Sequence, residues 1–221
     1  MQEMSVEELF IYPIKSCAGI KVEEALITKY GLALPSNPEI VDRRWMVTKD
    51  GRFQSQRVLP RMALIRPSVV KDGLCLRAPN MPELNVSVNP LPDEVVHCYC
   101  WTYPILGLRY GDHVSYWLRT FLQTEENLDL VAFDYKQFEG RPCKNSSDPN
   151  SARDGDVAVY HDMSPINFYR LKPNPYGVSP LFGINVAPTD ENSIGAMIRV
   201  GDMVYVRTEE PDFWSKIDSL Q

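Results

Sequence analysis

Apolar and polar residues alternate in short runs through the first hundred positions, and turn residues break the runs at close intervals. "VEELFIYPIK" reads as a strand interrupted by Pro13. "KVEEALITK" reads as a second, leading to a turn at Gly31. "RRWMVTKDGRFQSQ" is two runs around Asp50-Gly51, a pair that favours a two-residue hairpin tip with both residues at positive φ. "MALIRPSVVKDGLCLRAP" repeats the device, with Asp72-Gly73 at the expected tip. "LNVSV" and "VHCYCWTYPILGLRY" supply two or three more strands. Short strands at this spacing predict a barrel or a sandwich.

The period changes after Gly111. Val114, Trp117, Leu118, Phe121 and Leu122 fall on one face of a helix, and Asp112 is the expected N-cap. Those aromatics read as core, not as a cofactor stack. "LDLVAFD" then reads as a strand. Residues 134–156 are rich in Asn, Ser, Asp and Pro, and read as a loop. "VAVYHD" is a further predicted strand, and "MIRVGDMVYV" is two short runs around Gly201-Asp202. "PDFWSKIDSLQ" predicts a short terminal helix capped by Asp212. The class is therefore mainly β with some α.

Charge narrows the function. The chain has 221 residues and a net charge of −6. A mildly acidic protein lacks the basic field that nucleic acids and anionic membranes select, so neither is an expected partner. No run approaches the ~20 apolar residues of a membrane helix. The first residues, Met1 to Glu8, are acidic and polar, which predicts a cytoplasmic chain. Cys17, Cys75, Cys98, Cys100 and Cys143 are five thiols, an odd number in a long chain, so a disulfide framework is not expected. Cys98 and Cys100 share one face of a strand, but no second Cys or His pair stands at zinc spacing. They read as buried free thiols, and no metal site of this chain's own is predicted.

The stretch with chemistry is "IYPIKSCAGI". After Pro13 a bend offers Lys15, Ser16, Cys17 and Gly19. A lysine beside a hydroxyl and open backbone N–H groups can hold a phosphate. Arg43, Arg57 and Arg61 add cations where strands begin or end. The structural alternative is a surface lysine in a turn, with arginines paired to Asp42 or Glu39. Cys17 has no histidine at a fixed offset and is a weak nucleophile candidate. His97, His113 and His161 form no recognisable dyad, although Asp162 follows His161. HExxH, GxSxG, the Walker A loop and GxGxxG are all absent, so the usual hydrolase, kinase and dehydrogenase readings have no support.

Taken together, "LFIYPIKSCAGIKVEEA", "DRRWMV", "GRFQSQR", "PRMALI" and "LCLRAP" resemble the N-terminal β-barrel of the MOSC family, in particular the mitochondrial amidoxime-reducing components. "WLRTFL", "VAFD", "VAVYHDMSP" and "YGVSPLFG…IRVGDMVYV" are similar to segments of the MOSC domain that follows. The resemblance implies an N-terminal barrel domain over residues 1–110 and a shortened MOSC barrel over 111–221. It implies a molybdenum–molybdopterin cofactor whose phosphate is held by Lys15, Ser16 and Arg43, with Ser164 of Asp162-Met163-Ser164-Pro165 also touching it. It implies reduction of small N-hydroxylated substrates such as amidoximes, with electrons from a cytochrome b5 type donor. Anchored members of the family sit at the mitochondrial outer membrane, the alternative to a cytoplasmic location.

The departures from the family pattern shape the expectation. The stretch between the Ser-Pro and Tyr-Gly-x-Ser-Pro-Leu-Phe-Gly segments is short here, running "INFYRLKPNPYGVSPLFG". The family's Phe-Arg-Pro-Asn motif is missing from it. So is the Ser/Thr-Arg-Cys motif, whose thiolate ligates molybdenum. Asn185 stands where the family has a tyrosine. Molybdenum favours a soft thiolate that also tunes its potential. Cys17 belongs to the phosphate end of the ligand, and Cys143 is the remaining candidate. The expectation is therefore a family member of weak or no reductase activity. The alternatives are a non-catalytic pterin or small-anion binding module, and a truncated form without independent function.

Overall fold

A computed structural model describes residues 4–138 and 193–204 of the chain. The first strands are β1 (Met4–Ser5), β2 (Leu9–Ile11), β3 (Ile20–Val22), β4 (Glu24–Thr28), β5 (Gly31–Leu34) and β6 (Asn37–Val41). Next come β7 (Trp45–Lys49), β8 (Arg52–Phe53), a 3-10 helix (Pro60–Leu64), β9 (Arg66–Val70), β10 (Gly73–Arg77) and β11 (Leu84–Ser87). β12 (Glu94–Cys100), β13 (Tyr103–Arg109), helix α1 (Asp112–Leu122) and β14 (Leu128–Ala132) follow, and β15 (Met197–Arg199) and β16 (Met203–Val204) complete the described elements.

Five strands close into a barrel in the order β12-β13-β14-β7-β8. Its interior is small and apolar. Met46, Cys98, Cys100 and Val131 fill it, with Phe53, Val96 and Ile105 packed against them. Cys98 and Cys100 thus share a buried face, as their i, i+2 spacing predicts, and the four described cysteines are all free and buried. The opposite face of β7 carries Trp45 and Val47 into a second, larger core. This strand is buried on both faces, which is why its sequence is an apolar run with little alternation. Leu128, Leu130 and Ala132 of β14 join the same core, as do Val114, Trp117, Leu118, Phe121 and Leu122 of α1. Each fully buried Val, Leu or Phe among them contributes about 1.5–3 kcal/mol. The predicted helix face is therefore the face that packs.

The Asp50-Gly51 hairpin forms as expected, with φ of 48° and 76° at its tip. The second hairpin forms one residue out of the expected register. Gly73 pairs with Val70 and is already in β10. Its role is close approach, because a Cβ there would lie 2.1 Å from the Val86 carbonyl oxygen on β11. The helix starts at Asp112, and its N-cap is Gly111 without a side-chain cap, so the expected Asp112 cap is corrected. The Asp112 carboxylate instead accepts a hydrogen bond of 2.6 Å from Arg109 Nη2. The sequence reading overlooked the β5–β6 hairpin, whose Pro35 and Pro38 masked the strand pattern.

"MIRVGDMVYV" does form two short strands, yet they do not pair with each other. β15 adds to β4, and β16 pairs with β1. Residues 197–204 thus complete sheets begun near the N-terminus. The expected shortened second barrel falls mostly outside the described residues. Its described opening, α1 and β14, packs into the core and barrel just described.

Barrel closure makes one strong demand on sequence. A Cβ at Gly107 would lie 2.2 Å from Val131 Cγ1, a stiff branched side chain inside the barrel. We expect Gly107→Ala to lower stability by about 1–3 kcal/mol. Urea denaturation tests this, and an unchanged midpoint would show that the wall between β13 and β14 yields freely.

Candidate functional site

Lys15, Ser16 and Arg43 stand on two bends that the backbone ties together. The segment after β2 runs parallel to the start of β7 through an Ile14–Trp45 bridge. Trp45 N–H donates to the Pro13 carbonyl (3.0 Å), and Lys15 N–H donates to the Trp45 carbonyl (2.8 Å). Arg43 N–H donates to the Tyr12 carbonyl (2.7 Å), and Tyr12 N–H donates to Asp42 Oδ1 (2.7 Å). Below the clamp, Trp45 is fully buried, and its Nε1 donates to the Tyr110 hydroxyl at 3.0 Å. That hydroxyl donates in turn to the Ser87 carbonyl at 2.6 Å.

Both bends turn in the left-handed region. Ser16 has φ 68° and Arg43 has φ 55°. Each costs a non-glycine residue roughly 1–2 kcal/mol, and the clamp hydrogen bonds, each about 1 kcal/mol net, offset it. The left-handed turn at Ser16 leaves donors over. The N–H groups of Lys15, Cys17 and Ala18 are spent on Trp45, Ile14 and Ile65. Among the described residues the Ser16 N–H and hydroxyl have no hydrogen-bond partner. The Ser16 N–H and hydroxyl are thus the donors this turn leaves open to an anion.

Lys15 and Arg43, carried on these two bends, each lie over an aromatic ring. Lys15 Nζ is 5.1 Å from the Phe53 centroid and 5.9 Å from that of Trp101. The Arg43 guanidinium lies 6.0 Å from the Tyr12 centroid and pairs with Asp42. Tyr12 itself lies flat against Gly19, where a Cβ would come within 2.8 Å of the ring. The glycine two residues past Cys17 is thus required by the tyrosine beneath Arg43.

The neighbouring cations divide differently. Arg44 is buried and structural. It donates to the Phe133 and Glu39 carbonyls and to Glu39 Oε2, and stacks 4.7 Å over Tyr135. Arg61 donates to the Phe121 carbonyl and lies over that ring. Arg57 is exposed. The expected pairing to Asp42 or Glu39 is therefore met by Arg43 with Asp42 and by the neighbouring Arg44 with Glu39, while Arg61 is held by the Phe121 carbonyl instead. Ser164 and Cys143 lie outside the described residues. A cleft of about 460 Å³ borders Glu39, Arg44, Asp134, Lys136 and the 88–93 loop, and includes none of Lys15, Ser16 and Arg43.

Cys17 follows the grip residues but is shut away from them. It is buried in the large core, and burial pushes its thiol up to about 12. Burial also pushes Cys98 up to about 11, helped by the Asp129 charge. The described residues hold no cluster of three or more His, Cys, Asp or Glu suited to a metal. The sequence reading named Asp42 as an arginine partner, as the Arg43 ion pair shows, but missed Tyr12, Phe53 and Trp101 as neighbours of Lys15 and Arg43. Trp101 alone carried a signal, as an aromatic residue at a hairpin tip where Asn or Gly is usual.

The model of the MOSC N-terminal beta barrel domain matches residues 3–125. This chain belongs to that family, and its barrel is the family's barrel. It is 35% identical to the Xenopus laevis mitochondrial amidoxime-reducing component 1 over 164 residues, which is 73% of this chain and 46% of the relative. The Bos taurus mitochondrial amidoxime reducing component 2 is also 35% identical, over 73% of this chain and 47% of its own. A solution structure from Bordetella bronchiseptica aligns at a TM-score of 0.41 and 18% identity, covering 52% of this chain and 90% of the other. The chain spans about half the length of the curated relatives it matches.

Two outcomes follow from the buried groups. In the native chain Cys17 and Cys98 should resist alkylation at neutral pH, since the thiolate is the nucleophile. Peptide mapping after iodoacetamide treatment reads this, and rapid labelling of Cys17 would place its thiol in the open. Burial alone would raise the Glu39 carboxyl, but hydrogen bonds from Lys136, Arg44 and Tyr135 together leave it below its ordinary value. Its contribution to stability is therefore complete near neutral pH and lost as pH falls from the ordinary carboxyl range through the depressed value. Glu39→Gln leaves Arg44 short of its counter-charge and should cost roughly 2–3 kcal/mol near neutrality. The difference from wild type should shrink in acid, and a constant difference would remove the ion pair as its cause.

Proposed function

We propose that this chain holds the phosphate of a molybdenum–pterin cofactor through Lys15, Ser16 and Arg43, with Ser164 as a further contact. Its reaction class is then the reduction of N-hydroxylated compounds such as amidoximes, with a cytochrome b5 type donor. The observation that carries this reading is the pair of left-handed bends, tied together by backbone hydrogen bonds, that carry Lys15, Ser16 and Arg43 and leave the Ser16 N–H and hydroxyl unspent. A phosphate monoester is a dianion with several acceptor oxygens, and this donor set suits it by charge and by number. The relatives' printed names, which include amidoxime reduction, support the reaction class. Those names also include the mitochondrion, which supports a mitochondrial over a cytoplasmic location; no helix among the described residues is long and apolar enough to cross a membrane.

The residues present fit the phosphate end of the cofactor. Lys15 and Arg43 would supply cationic donors to the dianion, Ser16 would donate to it, and Tyr12 and Asp42 orient Arg43. The molybdenum, when bound, supplies the electron transfer to the N–O bond. A thiolate for the metal is another matter: the four described cysteines are buried, and two of their thiols are pushed far up by burial. This supports a chain that turns over amidoximes poorly or not at all. It also favours a second reading, a pterin or small-anion binding module without redox chemistry. The short junction between Phe168 and Pro175, with intact motifs on either side, supports a third, a truncated form of a longer enzyme.

Elemental mass spectrometry for molybdenum, with pterin fluorescence, separates these readings on protein from a host that makes the cofactor. Pterin with little metal is the expected result. Stoichiometric metal and turnover equal to a full-length relative would overturn the weak-activity reading. Lys15→Ala combined with Arg43→Ala should abolish pterin retention, and unchanged retention would overturn the phosphate assignment.

A further inference from the structure

Trp101 breaks a local rule. It occupies the first position of the two-residue tip between β12 and β13, after the Cys100–Tyr103 pair. Its φ is 58°, in the left-handed region. Hairpin tips of this kind favour Gly, Asn or Asp, and a bulky residue at positive φ is an outlier held only where its surroundings over-determine it. No apolar core repays the strain, because Trp101 remains 44% exposed.

What the side chain does make is an aromatic corner. Its ring meets Phe53 edge-on, with centroids 5.2 Å apart and planes at 75°. Phe53 belongs to the other hairpin, just after the Asp50-Gly51 tip. The two hairpins are joined where β8 runs parallel to β12, through Tyr99 N–H to the Gly51 carbonyl at 2.7 Å. Both rings face the Lys15 ammonium, at 5.1 and 5.9 Å. A lysine has four rotatable side-chain bonds and otherwise sweeps a wide arc. Two electron-rich ring faces attract the ammonium and limit the space it can occupy.

The geometry points to Trp101, with Phe53, as a positioning residue that holds the Lys15 ammonium ready for a phosphate monoester. This rests on the anion reading of Lys15, Ser16 and Arg43. Holding the cation in place before the ligand arrives removes part of the ordering cost of binding, so the effect appears as affinity. It also explains why a strained tryptophan stands at a hairpin tip where a small residue would fold more easily.

The test uses the full chain and inorganic phosphate, titrated by calorimetry well below the melting temperature. Trp101→Asn removes the rings' corner and suits the left-handed backbone. We expect its melting temperature to equal or exceed wild type while phosphate binds roughly two- to fivefold more weakly. Trp101→Phe keeps a ring face and should bind close to wild type. A residue that served only the hairpin would show the reverse, with stability moving and affinity fixed. Wild-type affinity in Trp101→Asn, or equal weakening in Trp101→Phe, overturns the positioning role. Lys15→Ala binding phosphate like wild type, or wild type not binding it at all, overturns the anion reading instead.

Discussion

The parallel clamp between residues 12–15 and 43–45 is the constraint on which the site depends. Its hydrogen bonds are backbone to backbone, so they are indifferent to most side-chain changes. They hold two turns in a conformation that neither serine nor arginine prefers. The clamp in turn depends on Trp45, fully buried and pinned through Tyr110 to the end of β11. A strand buried on both faces gives the clamp a rigid side, because Trp45 and Met46 are packed into different cores. Functional geometry set on such an element is more precise than geometry set on a free loop.

Much of this was legible in the sequence, for identifiable reasons. Asp50-Gly51 named its own turn, since few residue pairs tolerate two positive φ values in succession. The spacing from Val114 to Leu122 named its helix, because only a 3.6 period brings those residues to one face. Lys15 and Ser16 stood out from residue type as candidate anion ligands, the reading proposed above. What the sequence did not disclose was pairing at a distance. Nothing local in "MIRV" specifies that it adds to β4, nor in "DMV" that it meets β1. Phe53 and Trp101 lie in different hairpins, and their meeting depends on one parallel contact between β8 and β12. Arg43 and Arg44 are adjacent and chemically identical, yet one is exposed at the bend and the other is a buried staple to Glu39. That difference belongs to the direction in which each side chain leaves the backbone.

The position of the cysteines decides how the anion reading relates to catalysis. Phosphate contacts anchor one end of a cofactor, while a thiolate at the other end sets the metal's geometry and potential. The anchoring residues are built into the clamp, and the clamp is complete within the barrel and the core beneath it. Residues 197–204 return to β4 and β1, so the described sheets on that side join the start of the chain to its later part. On the proposed reading, anchoring and metal ligation fall to different parts of the chain. Cys17 does not bridge the two functions: the same core packing that steadies the bend after Ile14 shuts its thiol away from solvent and from any ligand held above it.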